Sequence, residues 1–254
     1  MNFATYPSLK GRVVFVSGGA TGIGADIVSA FVRNGSRVAF IDVQRDAGEA
    51  LARALGEVGE APLFIEGDVT DIPALLAAIE RTRDRLGLIG VLVNNAANDV
   101  RHEVEDVTVE FWDQSQAVNL RHHFFAAQAA YPQMKALGGG SIVNLSSIAW
   151  RFGAGEMPVY ATAKAGVVGL TRALARAFGP HNIRVNAIEP GAVMTERQRA
   201  LWYKTHDSVD AMAQRQLIRA TLSGEEIARA ALFLAADDSR MITKQTLTVD
   251  AGLR

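Results

Sequence analysis

Tyr160 and Lys164 stand four positions apart in YATAK, and Ser147 precedes Tyr160 by thirteen residues. On a helix, residues four apart share a face, so this spacing brings a phenol and an ammonium together. A free phenol ionises near pH ~10, too high for a base at neutral pH. A nearby cation favours the phenolate and lowers that value. A seryl hydroxyl beside the phenol can hold a substrate oxygen. Together the three suit proton transfer at the oxygen of an alcohol or carbonyl, the companion step of moving hydride at its carbon. Each alone equally suits packing on an amphipathic helix, so the surroundings decide.

Those surroundings are a regular alternation. Short apolar runs at 12–17, 37–42, 63–68, 91–95, 141–146, 184–190 and 245–250 have the character of strands buried on both faces. Alanine- and leucine-rich helical patterns lie between them, at 22–34, 45–56, 71–86, 108–136, 158–179 and 223–236. Gly35, Gly87, Gly138 to Gly140 and Gly179-Pro180 mark helix ends. Strand–helix–strand repetition predicts right-handed parallel crossovers and hence an α/β fold. We expect a Rossmann doubly wound parallel sheet of about seven strands with helices on both faces. No linker or repeat interrupts it, so residues 1–254 read as a single domain. The irregular stretch 191–222, with Trp202 and Tyr203, reads as a substrate lid.

Composition narrows the classes. Formal net charge is −1, which steers the protein toward neither nucleic acid nor an anionic membrane. The absence of cysteine excludes disulfides, thiolate zinc sites and a cysteine nucleophile, and suits a reducing cytosol. The N-terminus shows no apolar core of a secretory signal, and no run approaches membrane-spanning length. We expect a cytoplasmic protein. His102, His122 and His123 form no convincing metal arrangement; the latter two are expected on a helix surface or at a subunit contact.

The first strand runs into SGGATGIG, with Gly18, Gly22 and Gly24 around Thr21 and Ile23. Glycines permit a tight turn and close approach of phosphate, and the following helix N-terminus favours an anion. Asp42 ends the second strand, 18 positions after Gly24. There it can accept hydrogen bonds from adenosine ribose hydroxyls and repel a 2′-phosphate, or merely cap the next turn. The first reading favours NAD over NADP, although Arg45 lies close enough to blur the preference. Asp68, followed by Val69, either reaches an adenine amino group or caps the helix starting near Asp71.

The ordered set SGGATGIG, Asp42, GDV (67–69), NNAA (94–97), Asn119, Ser147, YATAK (160–164) and EPGAVMT (189–195) resembles the short-chain dehydrogenase/reductase family over essentially the whole chain. The resemblance implies catalytic roles for Asn119, Ser147, Tyr160 and Lys164. Ser147 would place the substrate oxygen against Tyr160, and Lys164 would hold the nicotinamide ribose. Asn119 would sit in a locally disturbed helix and support a water chain from Lys164. Asn95, Ala96 and Ala97 would run along the nicotinamide side. Pro190, Gly191, Val193 and Thr195 would hold the carboxamide and pyrophosphate. Three positions depart from the family's habit: Ala97 and Lys244 stand where glycine is usual, and Glu189 where asparagine or a small residue is. Lys244 raises the question of an altered subunit contact. The long helices at 108–136 and 158–179 pair between subunits in the family, so a homotetramer is expected, although their alanine-rich faces equally suit packing on the sheet.

Around the chemical end the segments are polar with aromatic faces: Asn98, Asp99, Arg101 and His102; Trp150, Arg151 and Glu156; Gln198, Arg199, Trp202 and Tyr203. Many hydroxyls call for paired donors and acceptors, and an indole suits the C–H face of a sugar ring. We take Asn98, Asp99, Ser147, Trp150, Glu156, Tyr160, Gln198 and Trp202 as substrate-facing. YPSLKG (6–11), NNAAND, RHEVEDVT (101–108), VNLRH (118–122), GPHNIRV (179–185) and Arg197-Gln198…Trp202-Tyr203 are similar to bacterial aldose 1-dehydrogenases of the D-xylose/L-arabinose type. That resemblance implies NAD-dependent oxidation of a pentose or 6-deoxyhexose at C1 to the lactone. Alternatives are an oxidoreductase on a cyclic polyol or 3-oxoacyl group, and a nucleotide-binding protein without turnover.

Overall fold

The computed structural model describes residues 4–253. The strands are β1 (Val13–Ser17), β2 (Arg37–Asp42), β3 (Leu63–Glu66), β4 (Ile89–Asn94), β5 (Gly140–Leu145), β6 (Ile183–Pro190) and β7 (Thr246–Val249). The helices are α1 (Gly22–Arg33), α2 (Arg45–Gly56), α3 (Ile72–Leu86), α4 (Val109–Gln116), α5 (His122–Ala136), α6 (Ala149–Phe152), α7 (Pro158–Phe178), α8 (Glu196–Leu201), α9 (His206–Gln214) and α10 (Gly224–Ala235). All seven strands are parallel, in the order β3-β2-β1-β4-β5-β6-β7. The order reverses between β1 and β4, and in such sheets ligands bind outside the carboxyl ends at that reversal.

The sheet separates two apolar cores because alternate residues of each strand face opposite ways. Val14 and Val16 of β1 pack with Ile27 and Phe31 of α1 and Leu232 of α10. Phe15 packs on the other face with Ile79 of α3, Ala126 and Ala130 of α5 and Leu174 of α7. The buried alanines of α5 therefore lie against the sheet. Exposed apolar residues on α4 and α5 include Val109, Trp112 and Phe124. Among the described residues no helix is long and apolar enough to cross a membrane.

Two stretches differ from the sequence pattern. The helix expected over 108–136 is broken by a π-helical turn at Ala117–Arg121, so its two parts, α4 and α5, are out of phase. The stretch 191–222 is more ordered than its composition suggests, because Thr195 caps α8 through the Gln198 N–H and Thr205 forms a capping box with Ser208 on α9.

Lys244 adopts a left-handed backbone, φ +65°, while its N–H donates to the Val185 carbonyl. A side chain is strained there and glycine is not. Lys244→Gly is therefore expected to stabilise the fold by about 1 kcal/mol, read as a higher denaturant midpoint; an unchanged or lower midpoint would contradict this.

Candidate active site

At the carboxyl edge of the sheet lies a cleft of about 1420 Å³. Its nucleotide end is built from the β1–α1 turn. A Cβ on Gly18 would come within 2.7 Å of the Ala96 Cα, and one on Gly24 within 1.8 Å of the Gly18 carbonyl oxygen. Only glycine permits this closeness. Gly22 takes φ +55° and faces the Thr195 methyl across the cleft, 3.3 Å from where its Cβ would sit. Thr21 gives α1 no side-chain cap, since its hydroxyl instead accepts from Gln44 Nε2 at 3.0 Å. The first turn of α1, with Ile23, thus opens into the cleft as a site suited to an anion. These features fit a dinucleotide.

Asp42 is 8% exposed, lines this end, and fulfils the capping alternative as well. Its Oδ2 accepts from the Ala20 N–H at 2.9 Å and its Oδ1 from Gln44 N–H at 3.0 Å, so the carboxylate is fixed at the cleft. Arg45 pairs with Glu49 at 3.1 Å and Glu66 at 3.8 Å. Asp68 closes a turn by accepting from Thr70 N–H at 2.8 Å, while the cap of α3 is Asp71, through Ala74 N–H. Val69 is buried at the cleft wall.

After β4 the backbone is more committed than expected. Ser17 Oγ accepts from both the Asn95 and Ala96 N–H groups, at 3.0 and 3.2 Å. The Asn95 amide donates to the Ser17 and Gly18 carbonyls. The Ala96 carbonyl accepts from His122 Nε2 at 3.1 Å; the Ala96 N–H is thus engaged within the chain and its carbonyl keeps one lone pair. Ala97 lines the cleft. Across it, Pro190 accepts from Ile148 N–H, and the N–H groups of Gly191, Val193 and Thr195 donate within the chain, to Val249, Gly191 and Val193. These four residues line the cleft.

At the chemical end, Tyr160 and Lys164 lie on the first turns of α7. Lys164 is 1% exposed and its Nζ donates to the Leu145 carbonyl at 2.8 Å, 5.5 Å from the centre of the Tyr160 ring. Burial lowers its pKa to about 7, and the carboxylate of Asp99 opposes that shift. Burial pushes the Tyr160 phenol well above its ordinary value; Asp99 raises it further, and a hydrogen bond with Ser147 pulls it down. Ser147 also accepts from Ala149 N–H at 3.1 Å. Burial acts on the phenol in the direction opposite to the lowering expected from Lys164. Burial thus favours the neutral form of both groups, and positive charge beside the phenol would favour its ionised form.

Asn119 is fully buried in the π turn, the disturbed helix the resemblance implied. Its side chain staples the chain after β4: Oδ1 accepts from Asn98 N–H at 2.9 Å, and Nδ2 donates to the Asn98 carbonyl at 3.0 Å. Asn98 and Asp99 are thereby presented to α8. Asp99 accepts from Gln198 Nε2 at 2.5 Å and Arg197 Nε at 3.4 Å, and Asn98 Oδ1 from Arg197 Nη2 at 2.9 Å. Asn98, Asp99, Glu156 and Gln198 all line the cleft.

Both tryptophans expected there do not line it. Trp150 turns away, its Nε1 donating to Glu189 at 2.8 Å. Trp202 is covered by the Arg101 guanidinium, 4.1 Å from the ring centroid. Arg101, Phe152, Tyr203 and Met212 line the cleft instead. Phe152 and Met212 carried no signal in the sequence, because which side of a short turn faces a cavity is set by tertiary partners. His122 and His123, expected on a helix surface or at a subunit contact, are fully buried within the chain, directly after the π turn.

A family model described as enoyl-(acyl carrier protein) reductase matches residues 18–254. The chain is 48% identical to a probable galactose dehydrogenase of Rhizobium meliloti, over 98% of this chain and 97% of that protein. It is 41% identical to a D-xylose 1-dehydrogenase of Caulobacter vibrioides over the whole of both. Among solved structures, a short-chain dehydrogenase/reductase from Serratia marcescens superposes with a TM-score of 0.89 at 36% identity, over 96% of this chain and 98% of that one.

The buried histidine pair sets an acid limit on the site. Burial lowers the His122 pKa to about 3, with nearby Lys164 acting in the same direction against the Ala96 carbonyl. The unfolded chain binds this proton below about 6.5, so stability is full above that pH and is lost as pH falls toward 3. Each such histidine contributes a slope of about 1.4 kcal/mol per pH unit. Unfolding free energies measured between those limits should show a slope shallower by this amount in His122→Gln; an identical slope would contradict the assignment.

Proposed function

The chain belongs to the short-chain dehydrogenase/reductase family of oxidoreductases, and we propose that it oxidises an aldose, a pentose or 6-deoxyhexose, at C1 to the sugar lactone with NAD. Membership brings a nicotinamide cofactor. The observation that carries the sugar reading is the polar wall beside the phenol. The Asp99 carboxylate acts on Tyr160 and Lys164, and Gln198, Arg197 and Asn98 join it in one hydrogen-bonded patch. A patch of alternating donors and acceptors suits a polyhydroxylated ring better than an acyl chain. The names of the galactose and D-xylose relatives point the same way.

Preference for NAD rests on Asp42, whose carboxylate is held at the cleft by two backbone N–H groups. A 2′-phosphate there would meet this charge, and the nearest candidate clamp, Arg45, is already paired with Glu49 and Glu66. Gly18, Gly22, Gly24 and the α1 N-terminus would hold the pyrophosphate, and Lys164 the nicotinamide ribose.

Ser147 holds the anomeric oxygen, Tyr160 as phenolate takes its proton, and the C1–H electron pair leaves as hydride while C1=O forms. When bound, oxidised nicotinamide supplies the hydride acceptor and a positive charge beside the phenol. The Lys164 ammonium, fixed by the Leu145 carbonyl, stabilises the phenolate. Asn119 fixes the Asn98–Asp99 backbone beside them. Assembly as a cytoplasmic homotetramer through α4, α5 and α7 completes this reading, with Trp112 and Phe124 on the outer face.

Purified protein should reduce NAD with at least one aldose from a panel of pentoses, hexoses and 6-deoxyhexoses, and NADP less efficiently. Tyr160→Phe should lower kcat by roughly 10²–10⁴-fold while leaving NADH affinity intact. Turnover of cyclic or open-chain secondary alcohols with no aldose active would replace the sugar reading; binding of NAD with no turnover at all, unaffected by Tyr160→Phe, would remove the enzymatic one.

A further inference from the structure

Glu189 is an acid between Ala187-Ile188 and Pro190 at the end of β6, and its side chain is fully buried. A buried carboxylate persists when it is paired and hydrogen-bonded. Here three donors from two other elements converge on it. Oε1 accepts from the Trp150 indole Nε1 at 2.8 Å. Oε2 accepts from Arg151 Nε at 2.6 Å and from Thr248 Oγ1 of β7 at 3.1 Å. The Arg151 guanidinium also lies over the Trp150 ring, 4.9 Å from its centroid, with 47% of its side chain exposed.

Trp150 and Arg151 belong to α6, a single turn of four residues. A helix this short does not hold itself. It begins two residues after Ser147, and its first N–H, that of Ala149, donates to the Ser147 hydroxyl. The end of β6 grips the turn twice, through the Pro190 carbonyl on Ile148 N–H at 3.2 Å and through the Glu189 carboxylate. With Trp150 and Arg151 drawn to Glu189, Ala149 and Phe152 are the residues of the turn that face the cleft.

We propose that Glu189 is a positioning residue for the reaction: through Trp150 and Arg151 it fixes the turn that aims the Ser147 hydroxyl and sets which side of α6 forms the substrate wall. The kinetic consequence rests on the role of Ser147 given above; the clamp itself does not.

The test uses the full chain with Glu189→Gln, Trp150→Phe, Arg151→Gln and the Trp150→Phe/Glu189→Gln pair. Steady-state kinetics, NADH affinity by fluorescence, melting temperature and the ¹⁵N–¹H signals of the indoles are measured for each. Glutamine keeps the size and one acceptor but loses the charge that holds Arg151. Glu189→Gln is expected to lose roughly 10–100-fold in kcat/KM, mostly in kcat because Ser147 acts on the reacting oxygen, with NADH affinity unchanged. The Trp150 indole signal should shift and exchange faster. The double variant should be no worse than Glu189→Gln alone, since both changes cut one tether.

A folded Glu189→Gln with unchanged kcat and an unmoved indole signal would overturn the proposal. So would a lower melting temperature with intact kinetics, a parallel loss of NADH affinity, or effects of the two single changes that multiply. If the wild-type protein turned over no alcohol, the functional reading would fall, and the clamp would be decided by the indole signal and its exchange alone.

Discussion

The burial of Lys164 is the constraint around which the site is arranged. Its side chain carries an amine to a place with 1% exposure, and an unpaired ammonium there costs several kcal/mol. The Leu145 carbonyl at the end of β5 meets it, while the hydroxyl of Ser146, the next residue, donates to the Lys164 carbonyl at 2.7 Å. The end of β5 and the start of α7 are therefore joined by two short bonds. Tyr160, one turn earlier on α7, and Ser147, one residue beyond Ser146, inherit their positions from that junction. A cost of this kind kept in a cleft is characteristic of functional positions.

Electrostatics then make the pair conditional. Burial disfavours the charged form of both groups, and Asp99 acts on each in the direction that keeps protons bound. Burial therefore favours the neutral phenol, and positive charge arriving in the cleft would act in the opposite direction. Asp99 itself is held from two sides, by the Asn119 staple on the Asn98 backbone and by Gln198 and Arg197 of α8. The segment read as a lid is thus tied to the same carboxylate that tunes the reacting pair.

Much of this was legible in the sequence because it depends on local rules. Parallel strands buried on both faces read as apolar runs, and β2 and α2 fall where the pattern puts them. The glycine turn, Asp42 and the Tyr160–Lys164 spacing follow from short-range geometry. What was not legible depends on distant partners. Trp150 looked like a sugar platform, but its direction is set by Glu189, 39 positions away in sequence. Trp202 is claimed by Arg101. His122 and His123 look like surface residues by polarity, yet they are buried directly after the π turn. Glu189 carried a signal that was noticed without its meaning: an acid inside a buried strand requires donors, and one of the three donors, Trp150, was an expected substrate residue.

The central claim is that Tyr160 is held neutral by burial and becomes a base only when positive charge enters the cleft. Titrating tyrosinate absorbance in the wild type against Tyr160→Phe, with and without NAD, tests it most directly. In the protein alone, the Tyr160 contribution should appear only above the ordinary phenol value of ~10, and with NAD bound it should move to lower pH. A Tyr160 that ionises at or below the ordinary value without cofactor, or whose titration is unmoved by NAD, would contradict the account.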